Sequence, residues 1–135
     1  MLARSLLKTA LKMRLLLIIG VICYLQSSCM AMERWPALSM LESGDDDHMV
    51  GQAGEISRYQ IRSELWPGGD AQDSKVALTA AQRIMQSRLD VFRRSHKREA
   101  SDFEFYVLWN APAQVDHPIA AVAERAQRFV NLTQR

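Results

Sequence analysis

At 135 residues with a net charge of +2, the chain has room for one domain. Its two cysteines, Cys23 and Cys29, both fall near the start, so residues 32–135 contain no thiol and exclude a disulfide or a thiolate metal site. Stability there must come from core packing.

Arg4, Lys8, Lys12 and Arg14 form a positive segment ahead of the apolar run Leu15–Leu25, LLLIIGVICYL. Small residues follow at Ser27, Ser28 and Ala31, which is the build of a secretory signal peptide over residues 1–31. The run is short of the ~20 apolar residues that a permanent span requires. Met13 is an alternative start, and cleavage after Ala31 fits a small-x-small pattern with Cys29. Lipidation at Cys29, through Ser27-Ser28-Cys29, is the less favoured alternative because Gln26 stands where an aliphatic residue is wanted. The expectation is export to the periplasm or cell envelope, or secretion. Membrane contact would come only through the leader or such an anchor.

Residues 32–135 read as mainly α. Pro36 suits the first turn of a helix, and Ala37, Leu38, Met40 and Leu41 give it an apolar surface up to Glu42. Gly44 and Asp45-Asp46-Asp47 stop it. Gly51 and Gly54 bracket a loop, Ile56, Tyr59 and Ile61 return as apolar positions, and Pro67-Gly68-Gly69-Asp70 is a breaker. Ser74 is the expected N-cap of the longest helix, about Lys75 to Arg94, with Ala77, Leu78, Ala81, Ile84, Met85, Leu89 and Phe92 forming its buried stripe. Arg83, Arg88, Arg93, Arg94, Lys97 and Arg98 make a basic stretch, read either as a face for anionic wall polymer or lipid or, preferred, as a solvated helix end. Ser101-Asp102-Phe103-Glu104 is a capping box for an almost wholly apolar helix to about Trp109, which should be central and buried. Asn110-Ala111-Pro112 ends it. A last amphipathic helix runs from Ile119 to Leu132, with Val122, Ala126, Phe129 and Val130 facing inward.

Two stretches carry a resemblance. Glu42-Ser43 is followed by Gly54-Glu55-Ile56-Ser57-Arg58-Tyr59-Gln60-Ile61, and later by Trp109-Asn110-Ala111-Pro112. Together they resemble lysozyme-like lytic transglycosylases, the soluble-transglycosylase and goose-type lysozyme superfamily. That family shows Glu-Ser at a helix end, then Gly-x-x-Gly-Leu-Met-Gln-Ile, then Tyr-Asn-Ala-Gly near the end of a buried helix. The first Gly, the Gln-Ile and the Asn-Ala match. Ser57 stands at the second Gly, Arg58 and Tyr59 replace Leu-Met, and Trp109 replaces Tyr.

The resemblance implies a small lysozyme-like helical domain that cleaves the β-1,4 bond between N-acetylmuramic acid and N-acetylglucosamine in peptidoglycan. Glu42 would be the single acid/base. The muramoyl C6 hydroxyl would replace water and leave a 1,6-anhydro end. Ser43, Tyr59, Gln60, Tyr106 and Asn110 would line the glycan cleft. Ordinary glycosidases need two carboxylates, whereas this family needs one, kept neutral by an apolar setting. Taken singly, Glu42 reads as an exposed glutamate at a helix end, Asn110 as a helix C-terminal residue, and Trp109 as core. Arg58 has Glu55 or Glu42 as candidate partners, and pairing with Glu42 would lower the acid's pKa.

Two alternatives remain open. One is a non-catalytic module that binds glycan or an envelope protein. The other is a muramidase-type hydrolase using an Asp from 45–47 across the cleft. Asp45–Asp47 lacks the alternating oxygen ligands of a calcium loop, and His48, His96 and His117 lack zinc spacing. No metal or other cofactor is expected, and no nucleic-acid signature is present. Peptidoglycan strands are the expected partner of a monomer.

Overall fold

The computed structural model describes residues 31–134. The leader expected over 1–31, with its lipidation candidate Cys29, lies outside the described residues apart from Ala31. The described residues are mainly helical: α1 Arg34–Ser43, α2 Ser74–His96, α3 Asp102–Asn110 and α4 Ala120–Thr133. Single 3-10 turns sit at Ser63–Leu65 and Pro112–Gln114. No described helix is long and apolar enough to cross a membrane.

Helix α3 is the centre of the fold because its sequence leaves no polar face to turn outward. Phe105, Tyr106, Val107, Leu108 and Trp109 are all buried. Its most extensive packing is against α4, where Phe105 stacks on Phe129 at 5.7 Å and Tyr106 lies tilted at the same distance. The inward stripe of α4 is Val122, Ala126 and Phe129, with Val130 half-buried. Helix α2 turns Ala77, Ala80, Ala81, Met85 and Phe92 inward, and its small residues admit close approach of the neighbouring elements. Helix α1 buries Ala37, Leu38 and Ser39 and packs against α4.

The helix ends follow local chemistry. Gly44 closes α1 at φ 69, returning its N–H to Met40. The N-cap of α2 is Asp73 rather than Ser74: its carboxylate accepts from the N–H groups of Lys75 and Val76, so Ser74 becomes the first helical residue. Ser101 and Glu104 form the reciprocal capping box that starts α3. Arg98 reinforces it by pairing with Glu104, whose carboxyl is lowered to about 2, first by that hydrogen bond. Arg34 joins the start of α1 to Asp102 at 2.7 Å and to the Ala100 carbonyl at 3.1 Å.

The α1–α2 connection contains no strand. Two isolated antiparallel bridges, Val50 to Ile56 and Ile56 to Ile61, fold residues 50–61 back on themselves.

Replacing Ser101 by Ala removes one half of the capping box. Urea unfolding should show a loss of about 1 kcal/mol, with the midpoint lowered and the slope unchanged.

Candidate functional site

A cleft of about 800 Å³ opens between the end of α1, the 51–65 loop, α2, the C-terminal end of α3 and α4. Glu42, Gln60 and Asn110, from three segments far apart in the chain, all line it.

Glu42 is the penultimate residue of α1, and its side chain is only 7% exposed. The Tyr106 hydroxyl donates to Glu42 Oε1 at 2.7 Å, and Arg125 Nη2 reaches the same oxygen at 3.4 Å. Oε2 has no protein partner among the described residues, so one oxygen is fixed by the fold and the other is left to the cleft. Burial raises the carboxyl's pKa above its ordinary value of 4.5. The Tyr106 hydrogen bond and the Arg125 charge oppose this, and the charge of Glu55 adds to it. Burial prevails because the Arg125 side chain is 44% exposed and its field is screened by water. The Tyr106 phenol is itself pushed well above the ordinary range, by burial first and then by the Glu42 charge, so it remains a hydrogen-bond donor.

Arg58 does not reach Glu42 or Glu55. It makes a two-pronged pair with Asp47, at 2.5 and 2.7 Å, and a third bond to Asp45 at 2.8 Å. This arrangement explains the acidic run. Asp45 also accepts from Ser39 at 2.6 Å, Asp46 accepts from the His48 N–H at 2.8 Å, and none of the three aspartates lines the cleft.

The other candidates divide. Gln60 holds its amide nitrogen on the carbonyls of Ser57 and Met49, at 3.0 and 3.3 Å, and lines the cleft. Asn110 is the last residue of α3, is half-buried, and its amide meets no protein partner among the described residues. Its backbone is not left-handed, so it does not serve as the glycine-like end of the helix. Tyr106, expected to line the cleft, does not: it is fully buried and acts on the site only through its hydroxyl on Glu42.

Ser43 and Tyr59 do not line the cleft, contrary to expectation. The Ser43 hydroxyl donates to the Arg58 carbonyl at 2.9 Å and accepts from the Asp46 N–H at 3.0 Å, pinning the loop to the end of α1. Tyr59 is turned into the core, edge-on to Trp35 at 6.0 Å and to Trp109 at 6.5 Å, where its ring buries more apolar area than at the rim. Trp109 is buried at 8% exposure and still presents an edge to the cleft.

The loop is held in a strained shape. Ser57, Gln60 and Asp45 adopt φ of 65, 50 and 70. The Ser57 hydroxyl is buried without a hydrogen-bond partner. A Cβ at Gly51 would displace the flexible side-chain ends of Glu55 and Gln60, so Gly51 lets both lie against the backbone.

Four charged cleft residues were missed by reading the sequence for motifs: Glu55, Arg62, Arg88 and Arg125. A signal existed for two of them. Arg88 stands four residues from both Ile84 and Phe92, and Arg125 stands three from Val122 and four from Phe129, so each falls beside an inward stripe. Among the described residues, no three His, Cys, Asp or Glu side chains are grouped to hold a metal ion.

Comparison with family models, curated proteins and solved structures finds no match for the chain.

Two outcomes test this account of the site. Ser57→Gly removes both the left-handed strain and the orphaned hydroxyl, and should raise stability in thermal unfolding by about 1 kcal/mol. Glu42→Gln should be stabilising at neutral pH by about 1 kcal/mol, about 4–8 °C in Tm. The sign follows from the raised pKa. The fold favours the protonated acid, so wild-type stability falls as pH rises from 4.5 through the higher folded value. The gap between the proteins should therefore close below 4.5.

Proposed function

We propose that this chain is an exported, lysozyme-like lytic transglycosylase that cuts peptidoglycan with Glu42 as its only acid/base. The observation that carries the reading is the Glu42 carboxyl: desolvated, pKa raised, one oxygen held by Tyr106 and the other facing a cleft shared with Gln60 and Asn110. The Glu-Ser, Gln-Ile and Asn-Ala matches come from the same segments that form this cleft. The apolar leader supports export, since the wall lies outside the cytoplasmic membrane.

In this reading protonated Glu42 gives its Oε2 proton to the glycosidic oxygen as the C1–O bond breaks. Tyr106 and Arg125, both on Oε1, stabilise the carboxylate that remains. The muramoyl C6 hydroxyl then bonds to C1 and returns its proton to Glu42. The sugar closes as a 1,6-anhydro ring, the carboxyl is restored, and no water is consumed. Asn110 and Gln60 offer amide groups to sugar hydroxyl or acetamido groups.

A hydrolytic reading is favoured by one observation, that Glu55 is a second carboxylate on the cleft wall. It replaces Asp45–Asp47 as the candidate, since those residues are committed to Arg58 and to the turn. A non-catalytic binding module is favoured by the Arg125 guanidinium on the Glu42 oxygen.

Digestion of purified wall, with products read by mass, separates the three. Anhydro-muropeptides are expected, whereas reducing ends that vanish in Glu55→Gln would establish hydrolysis, and glycan binding without products a binding module. Glu42→Gln should lower the rate by about 10²–10⁴-fold. The rate should fall as pH rises through the raised Glu42 pKa. Tyr106→Phe, which removes a bond favouring the carboxylate, should move that fall to higher pH.

A further inference from the structure

The cleft also contains a cation that the proposed bond cleavage does not use. Arg88 extends from α2 to the C-terminal end of α3, where its Nη1 donates to the carbonyls of Leu108 and Trp109 at 2.9 and 2.6 Å. Its guanidinium carbon sits 5.6 Å from the centre of the Trp109 ring. Those bonds use one nitrogen of three, leaving donors on Nη2 and Nε. No carboxylate pairs with Arg88 among the described residues. Glu42 is held by Tyr106 and Arg125, and Glu55 accepts from the Ala53 N–H at 3.0 Å. The charge that bears on Arg88 is that of Arg62, another cleft residue, and it is repulsive. Arg62 has only a loose, exposed partner in Glu64 at 3.8 Å.

A half-buried guanidinium facing a second cation, with free donors on a cleft wall, lacks its counter-charge. The helix-end carbonyls compensate only in part. The position is informative too: Leu108 and Trp109 lie two and three residues beyond Tyr106 on α3, within one turn, and Glu42 and Arg88 line the same cleft, so a ligand seated at Glu42 can extend to Arg88.

We infer that Arg88, with Arg62 beside it, is an anion subsite that binds a carboxylate carried by the glycan one position away from the bond at Glu42. This rests on the glycan reading of the cleft and narrows it to acid-bearing strands. The two carboxylate sources on peptidoglycan are the stem peptide and the lactyl group exposed when stems are removed. A planar guanidinium suits either, since it meets a carboxylate with two parallel bonds.

The test is co-sedimentation or fluorescence titration of the full chain, carrying Glu42→Gln so that strands are not cut. Four polymers are compared: glycan strands with peptide stems, the same strands with their carboxyls converted to methylamides, strands stripped of stems by an amidase, and polygalacturonate. Stem-bearing strands should bind at least about tenfold tighter than their amidated form. Arg88→Gln should bring that ratio close to one while leaving the amidated strands bound as before. Arg94→Gln, which removes an equal charge from the exposed face of α2, should leave the ratio intact. Should Arg88→Gln not fold, Arg62→Gln should still lower the ratio, since the Arg62 side chain is exposed and caps no helix.

If the preference over the amidated form is lost on stripping the stems, the stem peptide supplies the carboxylate, and if stripped strands also bind more tightly than the amidated form, the newly exposed lactyl carboxylate serves too. A wild-type ratio of one for both stem-bearing and stripped strands against the amidated form, or a ratio that survives Arg88→Gln, overturns the subsite and leaves the glycan reading standing. Arg88-dependent binding of polygalacturonate alone keeps the subsite and overturns the muramoyl reading. Binding to none of the four overturns both.

Discussion

The hydrogen bond from Tyr106 to Glu42 joins the end of α1 to the middle of the buried helix across 64 residues of chain, and the cleft is arranged around it. A carboxyl placed in an apolar setting is costly unless something holds it. Here the holder is a phenol that cannot turn away, because Tyr106 is fully buried between α3 and α4 with its ring against Phe129. The core therefore sets the position of the acid. Since both partners fall on Oε1, the other oxygen is free to exchange a proton with whatever enters.

The same economy governs the loop that forms one wall. Residues 44–61 contain almost no regular structure, yet they are tightly tied. Arg58 clamps Asp45 and Asp47, Ser43 holds the Arg58 carbonyl, and two bridges around Ile56 close the tip. Two of the three aspartates, Asp45 and Asp47, are the counterpart of one arginine. The strain in this segment, at Asp45, Ser57 and Gln60, falls beside Glu42 and in the cleft wall itself. Local strain of this kind persists only where surrounding structure over-determines it, and here the aromatic cluster of Trp35, Tyr59 and Trp109 provides that support from below.

Electrostatically the cleft is mixed. Glu42, Glu55, Arg62, Arg88 and Arg125 all line one cleft of about 800 Å³. Arg125 partly compensates Glu42, whereas Arg88 spends its charge on helix-end carbonyls. A cleft with an acid at one place and an unmatched cation at another favours a ligand that is neutral beside Glu42 and anionic beside Arg88. That pattern connects the site chemistry to the class of polymer proposed.

The four helices were legible in the sequence because each follows from local rules: the Ser101–Glu104 box, the spacing of Val122, Ala126 and Phe129, and the unbroken apolar run Phe105–Trp109. Glu42, Gln60 and Asn110 stand out in the sequence only through the resemblance of their segments to lytic-transglycosylase motifs, since taken singly Glu42 and Asn110 read as ordinary helix-end residues. What required the tertiary structure was direction and partnership. Whether Tyr59 faced the cleft or the core, whether Arg58 met Glu42 or the aspartates, and whether Arg88 was solvated or lodged under α3 depend on which side chains meet across tens of residues. Periodicity is a property of one segment and carries no information about the segment opposite. Ionic partnership and desolvation exist only once two segments have packed, and that is why the acid's setting, its phenol and the cleft's arginines emerged only from the fold.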